Sequence, residues 1–301
     1  MYSRREFMNL TAGSLLAGTM TPLTTPAAIK SQPGYELLLL ATNWGFSGSS
    51  AEFCKKAKAS GYDGVEVWYP SDSKDREEFL KATKENSLQF GFMLGGSDKD
   101  PKKHFQQFKE SLESAATQKP IYINCHSGRD HFSFDDNRMF MDLTREVAQR
   151  SQVPVYHETH RSRILYSAPV TRQYLEKVPD LRLTLDVSHW CNVHESLLED
   201  QSETLALTIA HTDHIHARIG HPEGPQVNDP RAPEWKKAVD AHFGWWDRIV
   251  EIKKKEGKRM TILTEFGPVD YMPALPYTRQ PVGNQWEINS FMLETLRKRY
   301  A

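Results

Sequence analysis

Short apolar runs alternate with longer stretches in which apolar residues recur every three or four positions, and this alternation continues along most of the chain. The short runs predict strands over Leu37–Thr42, Gly64–Trp68, Gln89–Leu94, Ile121–Cys125, Val153–Glu158, Arg182–Asp186, His211–His216 and Thr261–Glu265. The stretches between them predict helices. Ser49 or Ser50 can cap the first, with Glu52 completing a capping box to Ser49 and Gly61 stopping it. A charged helix opens at Ser73. Asp100-Pro101 supplies an N-cap and a proline at the first helical position, leading into Lys102–Thr117. Further helices are expected over Asp135–Arg150, Pro169–Val178, Glu195–Ile209, Pro233–Lys255 and Trp286–Arg299, with Gly257 ending the penultimate one. Trp245-Trp246, in mid-helix, is expected in the core.

Strands alternating with helices at this spacing imply βα units and a parallel sheet. Eight such units over residues 29–301 predict an α/β chain folded as a single (β/α)8 TIM barrel. An open doubly wound sheet would need a glycine-rich phosphate turn after the first strand. The segment Asn43-Trp44-Gly45-Phe46-Ser47-Gly48 does not match that pattern. Two long loops, Arg218–Pro233 and Gly267–Asn284, follow the seventh and eighth strands on the face where loops shape pockets.

The chain's 301 residues suffice for one large core. Its formal net charge of -1 offers no electrostatic footprint for nucleic acid or an anionic membrane. Cys54, Cys125 and Cys191 form an odd, widely spaced set, which is no disulfide framework, and Cys125 reads as a buried apolar residue. The N-terminus differs in character from the rest. Ser3-Arg4-Arg5-Glu6-Phe7-Met8, the mildly apolar Leu10–Met20 and the small residues through Pro26-Ala27-Ala28 resemble a twin-arginine export signal over residues 1–28. The domain then begins at residue 29, and a periplasmic or secreted location is expected. The apolar stretch is too short and weak to span a bilayer, and no lipobox cysteine is present near the cleavage region, so no stable membrane anchor is expected. Monomer and homo-oligomer both remain compatible with the sequence.

Chemistry gathers at four strand ends. Glu158, Asp186, His216 and Glu265 each stand at the C-terminal tip of a predicted strand, where parallel barrels build active sites. Three carboxylates and one imidazole make a hard, oxygen-rich donor set suited to one divalent ion: Mn²⁺, Mg²⁺, Co²⁺ or Zn²⁺. Removing a proton beside a carbonyl requires the developing enediolate charge to be stabilised, which a metal on two adjacent substrate oxygens does. Carboxylates projecting from opposite sides of a barrel can supply the bases. His126, in Ile123-Asn124-Cys125-His126-Ser127-Gly128, reads as a substrate contact, a second-metal ligand or a structural group. Glu66 reads as a substrate hydrogen-bond partner or a structural acid at the rim. His160, Arg161 and His221 are candidates for the pocket or for surface loops. Trp44, Trp68 and Trp190, near strand ends, would stack on a sugar or pack.

The motifs His157–His160 (H-E-T-H), Leu185–His189 (L-D-V-S-H), His214–Arg218 (H-I-H-A-R) and Thr264–Gly267 (T-E-F-G) resemble the xylose isomerase-like TIM barrel superfamily. That group holds sugar isomerases and epimerases, inosose dehydratases and the endonuclease IV enzymes of AP endonuclease family 2, and the likeness extends over nearly the whole of residues 29–301. It implies that Glu158, Asp186, His216 and Glu265 bind one divalent metal. It also implies that Glu158 and Glu265 transfer protons and that His189 contacts a substrate hydroxyl. Arg218 is a further candidate for a substrate oxygen, at an offset from His216 that is not the family's usual one. The expected function is a metal-dependent sugar isomerase or epimerase acting through an enediolate on a non-phosphorylated sugar or keto-sugar. The alternative is a lyase or hydratase acting on 3-keto-glycosides or their glycal products. An endonuclease IV-like repair enzyme would need a three-zinc site and a basic groove, and the third strand, Gln89–Leu94, offers no histidine. A non-catalytic sugar-binding barrel would have a broken ligand set, whereas here the set is intact. The expected partner is a small carbohydrate and not nucleic acid.

Overall fold

All eight predicted runs form strands in a computed structural model, which describes residues 33–301. The expected export signal, residues 1–28, lies outside the described residues. The strands are β1 (Glu36–Thr42), β2 (Gly64–Trp68), β3 (Gln89–Gly95), β4 (Ile123–His126), β5 (Val155–Glu158), β6 (Leu183–Leu185), β7 (Thr212–Ala217) and β8 (Arg259–Thr264). They pair in chain order, every pair parallel, and β8 returns to β1 to close the barrel. The intervening helices are α1 (Ser50–Ala59), α2 (Ser73–Glu85), α3 (Pro101–Thr117), α4 (Phe134–Ser151), α5 (Ala168–Lys177), α6 (Ser188–Val193), α7 (Ser202–Ala210), α8 (Lys236–Glu256) and α9 (Gln285–Tyr300). No helix among the described residues is long and apolar enough to cross a membrane.

The local signals act where the sequence places them. Ser49 caps α1 and exchanges hydrogen bonds with Glu52 in a complete capping box. Asp100 caps α3, with Pro101 in the first turn. Gly257 ends α8 at φ 62°, a left-handed conformation that glycine adopts without steric cost.

One expected helix is corrected. The helix expected over Glu195–Ile209 starts only at Ser202, as α7; residues 195–201 are not helical, and the short α6 precedes them. Glu195 and Leu198 take positive φ values of 48° and 59°, which no helix accommodates, and Leu198 buries its side chain within the break. The expected helix Pro233–Lys255 likewise begins with a 3-10 turn over Pro233–Trp235.

The alternation within strands sorts side chains between two environments. Leu39 and Ala41 of β1 face outward into the large core shared with the helices, together with Trp245 and Trp246 of α8. Leu38 and Leu40 face inward and form a small separate cluster with Tyr122 and Leu263. This apolar plug fills part of the barrel interior. Polar side chains occupy the interior toward the C-terminal strand ends.

Candidate active site

Period-2 geometry selects the residues of the site. On β4, Asn124 and His126 share the inward face, while Cys125 between them packs in the outer core. On β5, Glu158 points into the barrel. Its neighbour His157 points into the wall, where Ser127 Oγ lies 3.1 Å from Nδ1 and Thr144 Oγ 2.8 Å from Nε2. On β7, His214 and His216 face inward and Ile215 outward. Asp186 and Glu265 are the first residues beyond β6 and β8.

The four expected metal ligands come together, all buried. His216 Nδ1 lies 3.0 Å from Glu265 Oε2 and 3.5 Å from Glu158 Oε2. One donor atom each of Glu158, Asp186 and His216 lies within 4.8 Å of the other two. Asn124 Nδ2 donates to Glu158 Oε2 at 2.6 Å, and His126 Nε2 sits 2.6 Å from the same oxygen. Asp186 Oδ1 accepts from the amide of Ser188 at 3.0 Å and from its hydroxyl at 2.5 Å. Arg218 donates to Asp186 Oδ2 and, at 2.8 Å, to His189 Nε2, and its Nη1 lies 3.5 Å from Glu265.

The electrostatics follow from crowding acids in a dry interior. Burial pushes Asp186 up to about 7, with Glu265 and Glu158 adding to the rise and Arg218 opposing it. Burial also works against Glu158 ionising, yet His126 and His216 beside it hold it well below the usual carboxylate range. His216 is the counterpart: burial disfavours its charge, but Glu265, Glu158 and Glu66 keep its pKa well above normal. His189 and His160 are held well below the ordinary imidazole value, first by burial and then by neighbouring cationic groups.

Several buried atoms here lack a hydrogen-bond partner: Glu158 Oε1, Glu265 Oε2, His216 Nδ1 and Asn124 Oδ1. Leaving such atoms bare in a protein interior is costly. Three carboxylates share one guanidinium and a set of imidazoles, so the cluster is short of positive charge. A divalent ion fits this donor set, with Glu158, Asp186, His216 and Glu265 as the residues that would hold it.

The remaining expected residues divide. His189 is buried in contact with Arg218, and its Nδ1 has no partner. His126 stands against Glu158, with the His160 ring 4.4 Å away and the half-exposed Trp68 edge-on at 5.4 Å. His126, Glu158 and His160 form a second group of close potential donors. Trp44 borders the site: Arg218 lies 5.9 Å from its ring, and a Cβ added to Gly267 would collide with that ring. Trp190 packs in the core instead, with its indole N–H donating to the Leu165 carbonyl. His221 lies apart, against Trp235. Glu66, expected as a substrate hydrogen-bond partner or a structural acid at the rim, lies inside the barrel. It is only 1% exposed and faces His214 and His216 deeper in the barrel.

Sequence reasoning missed three participants. Asn124 was legible, because two positions before His126 on a strand means the same face. Ser188 sits two residues beyond Asp186 and binds it through a tight local turn. Tyr271 had no local signal: the loop after β8 places its ring 4.8 Å from both the Trp44 ring and the Arg218 guanidinium.

The model of the family described as xylose isomerase-like TIM barrel matches residues 54–241, more than half of the chain. No curated protein matches. Among solved structures, 3-keto-D-glucoside 4-epimerase YcjR from E. coli superposes with a TM-score of 0.60 at 17% identity, covering 87% of this chain and 100% of that one. A D-tagatose 3-epimerase-like protein gives 0.56 at 13% identity, over 87% and 96% of the two chains. Endonuclease IV from Thermus thermophilus gives 0.52 at 14% identity, over 89% and 98%. At these identities the likeness is one of fold.

Proposed function

Because the chain belongs to the xylose isomerase-like TIM barrel family, we propose that it is a divalent-metal-dependent sugar isomerase or epimerase. Its substrate is a non-phosphorylated sugar or keto-sugar, and the reaction runs through an enediolate. The observation that carries this reading is the convergence of the buried Glu158 and Glu265 carboxylates on one ring nitrogen of His216, Nδ1, with Glu158 Oε1 left without a hydrogen-bond partner.

A bound divalent ion supplies Lewis-acid stabilisation of negative charge on substrate oxygens. The protein's own groups do the rest. Glu158 and Glu265 take and return the proton at the carbon beside the carbonyl. Asn124 holds the Glu158 carboxylate in orientation, and His126 is close enough to exchange a proton with it. Arg218 and His189 offer donors to substrate oxygens. Trp44 and Tyr271 form an aromatic wall that excludes water beside them. The twin-arginine-like N-terminus supports a role outside the cytoplasm, where free sugars and glycosides replace phosphorylated intermediates as substrates.

Proton NMR in D₂O tests this, using the Mg²⁺-supplemented protein with free ketoses and 3-keto-glucosides. Deuterium should enter beside the carbonyl while the carbon skeleton and any aglycone stay intact. Loss of the aglycone, or water added across an enone, would replace the epimerase reading with a lyase or hydratase.

A further inference from the structure

The turn that follows β5 carries two cations without a counter-charge. It runs over residues 160–163: the Arg163 amide donates to the His160 carbonyl at 3.1 Å, and Ser162 takes a φ of 59°. Arg161 and Arg163 are both half-buried. Among the described residues, no carboxylate oxygen lies within 4.0 Å of either guanidinium. The acids of this region are taken: Asp186 by Arg218, Asp130 by His131, and one oxygen of Glu158 by His126 and Asn124. Arginines elsewhere in the barrel meet acids, as Arg182 does Asp213 and Arg299 does Asp247.

Arg161 lies 5.1 Å from the centre of the Tyr271 ring, against which Arg218 also lies at 4.8 Å. Its one polar side-chain contact is from Nη1 to Asn192 Oδ1, long at 3.3 Å. Arg161 is thus one aromatic ring away from the Arg218–Asp186 pair. Arg163 makes no side-chain hydrogen bond, and its Nε and Nη1 are buried without a partner. Burial holds its pKa below the usual arginine value and Arg129 adds to the fall, while Glu158 and Tyr271 oppose it.

Buried donors left bare are costly, and the planar fork of arginine matches a carboxylate with two parallel hydrogen bonds. A sugar whose oxygens reach the acids at the mouth, and whose far end is anionic, would use both groups. A neutral sugar would leave the two positive charges idle. Resting on the reading of a non-phosphorylated sugar substrate above, we propose that the substrate is a sugar acid, a keto-sugar bearing a carboxylate. Arg161 binds that carboxylate through its guanidinium, and Arg163 attracts it with a second positive charge.

Fructose, fructuronate and fructose 6-phosphate test this, because they differ only at C6: an alcohol, a carboxylate or a phosphate ester. Calorimetry measures their binding to the Mg²⁺-supplemented full chain, and deuterium exchange is followed for the same three. Fructuronate should bind about 10- to 100-fold more tightly than fructose, the range for hydrogen bonds to a charged group. Arg161→Gln should remove most of that preference and Arg163→Gln part of it, with a far smaller change for fructose. Equal binding of fructose and fructuronate overturns the inference, as does binding of none of the three. An equal loss for both sugars in Arg161→Gln also overturns it, since the arginine would then only offset the acids of the mouth. Preference for the phosphate ester overturns the carboxylate and the non-phosphorylated substrate together. Fructuronate held through Arg161 with no exchange upholds carboxylate recognition and sinks the isomerase reading alone. Should the variants not fold, the arginine Nε–Hε resonances of the wild type decide: fructuronate should shift that of Arg161 where fructose does not, and equal shifts refute the inference.

Discussion

The two ends of this barrel use the same kinds of residue to opposite effect. At the lower end, Asp213 is held by Arg182 through two hydrogen bonds of 2.6 and 2.8 Å and by the buried Lys253. Each charge there meets its opposite, so that the Asp213 pKa, which burial would raise, is lowered by Arg182 and Lys253. At the mouth, Glu158, Asp186 and Glu265 crowd around Arg218 and His216, three acids to one guanidinium and one imidazole, and Glu158 Oε1 is left without a donor. A charge that finds its partner within the protein stabilises the fold. A charge cluster left incomplete waits for something from outside.

The largest effect should come from breaking the mouth. Glu265→Gln should cut the deuterium-exchange rate by about 10²- to 10⁴-fold, the range for a lost general base. The melting temperature should hold steady or rise, because one of three crowded acids is neutralised. A large fall in melting temperature with the rate preserved would show that Glu265 is structural and that the two ends do not differ as described.

Breaking the lower end should do the reverse. Asp213→Ala strands the buried Lys253 and the half-exposed Arg182. It should cost about 3 kcal/mol in denaturant unfolding, toward the low end for a broken buried pair because Arg182 can reach solvent. The exchange rate per folded molecule should be unaltered, and a mouth-like loss of rate would undo the contrast.

The smallest effect sharpens the comparison with two histidines that lie outside the mouth cluster. His157 and His242 are buried and both pushed down to about 4 by burial. His242 is fixed in the neutral form by its bonds: the Gly220 amide donates to Nε2, and Nδ1 donates to the Ala238 carbonyl. Unfolding restores an ordinary pKa near 6.5, so between about 6.5 and 4 the unfolded chain holds more protons. Stability should therefore fall as pH drops through that window, by about 1.4 kcal/mol per unit for each histidine. Replacing His157 with Gln should flatten the slope, as followed by urea midpoints at pH 7, 6 and 5. An unchanged slope would place the acid sensitivity in the mouth cluster instead.

The order and type of the elements were legible because their causes are local. Ser49 with Glu52, Asp100 with Pro101, and Gly257 each act within a turn or two of their own position. Strand ends marked Glu158, Asp186, His216 and Glu265 for the same reason: alternation and position along a strand decide which face and which height a residue occupies. The break between α6 and α7 was not legible, since positive φ at Glu195 and Leu198 is stabilised by burying Leu198 against distant residues. Glu66 shows the limit more sharply. From the chain it looks like one more acid at a strand tip, at the rim, whereas it lies in the middle of β2, buried. That it faces His216 rather than the mouth depends on how far β2 is sheared relative to β7 across the closed barrel. Tyr271 over Arg218, and the pairing of Arg218 with Asp186, depend likewise on where two loops meet. The sequence by itself determined the barrel, its strands and the candidate ligands, because these rest on periodicity and nearest-neighbour chemistry. Tertiary structure alone decided which charges are paired and which are left bare, because pairing depends on distances between segments that the chain brings together only when the barrel closes.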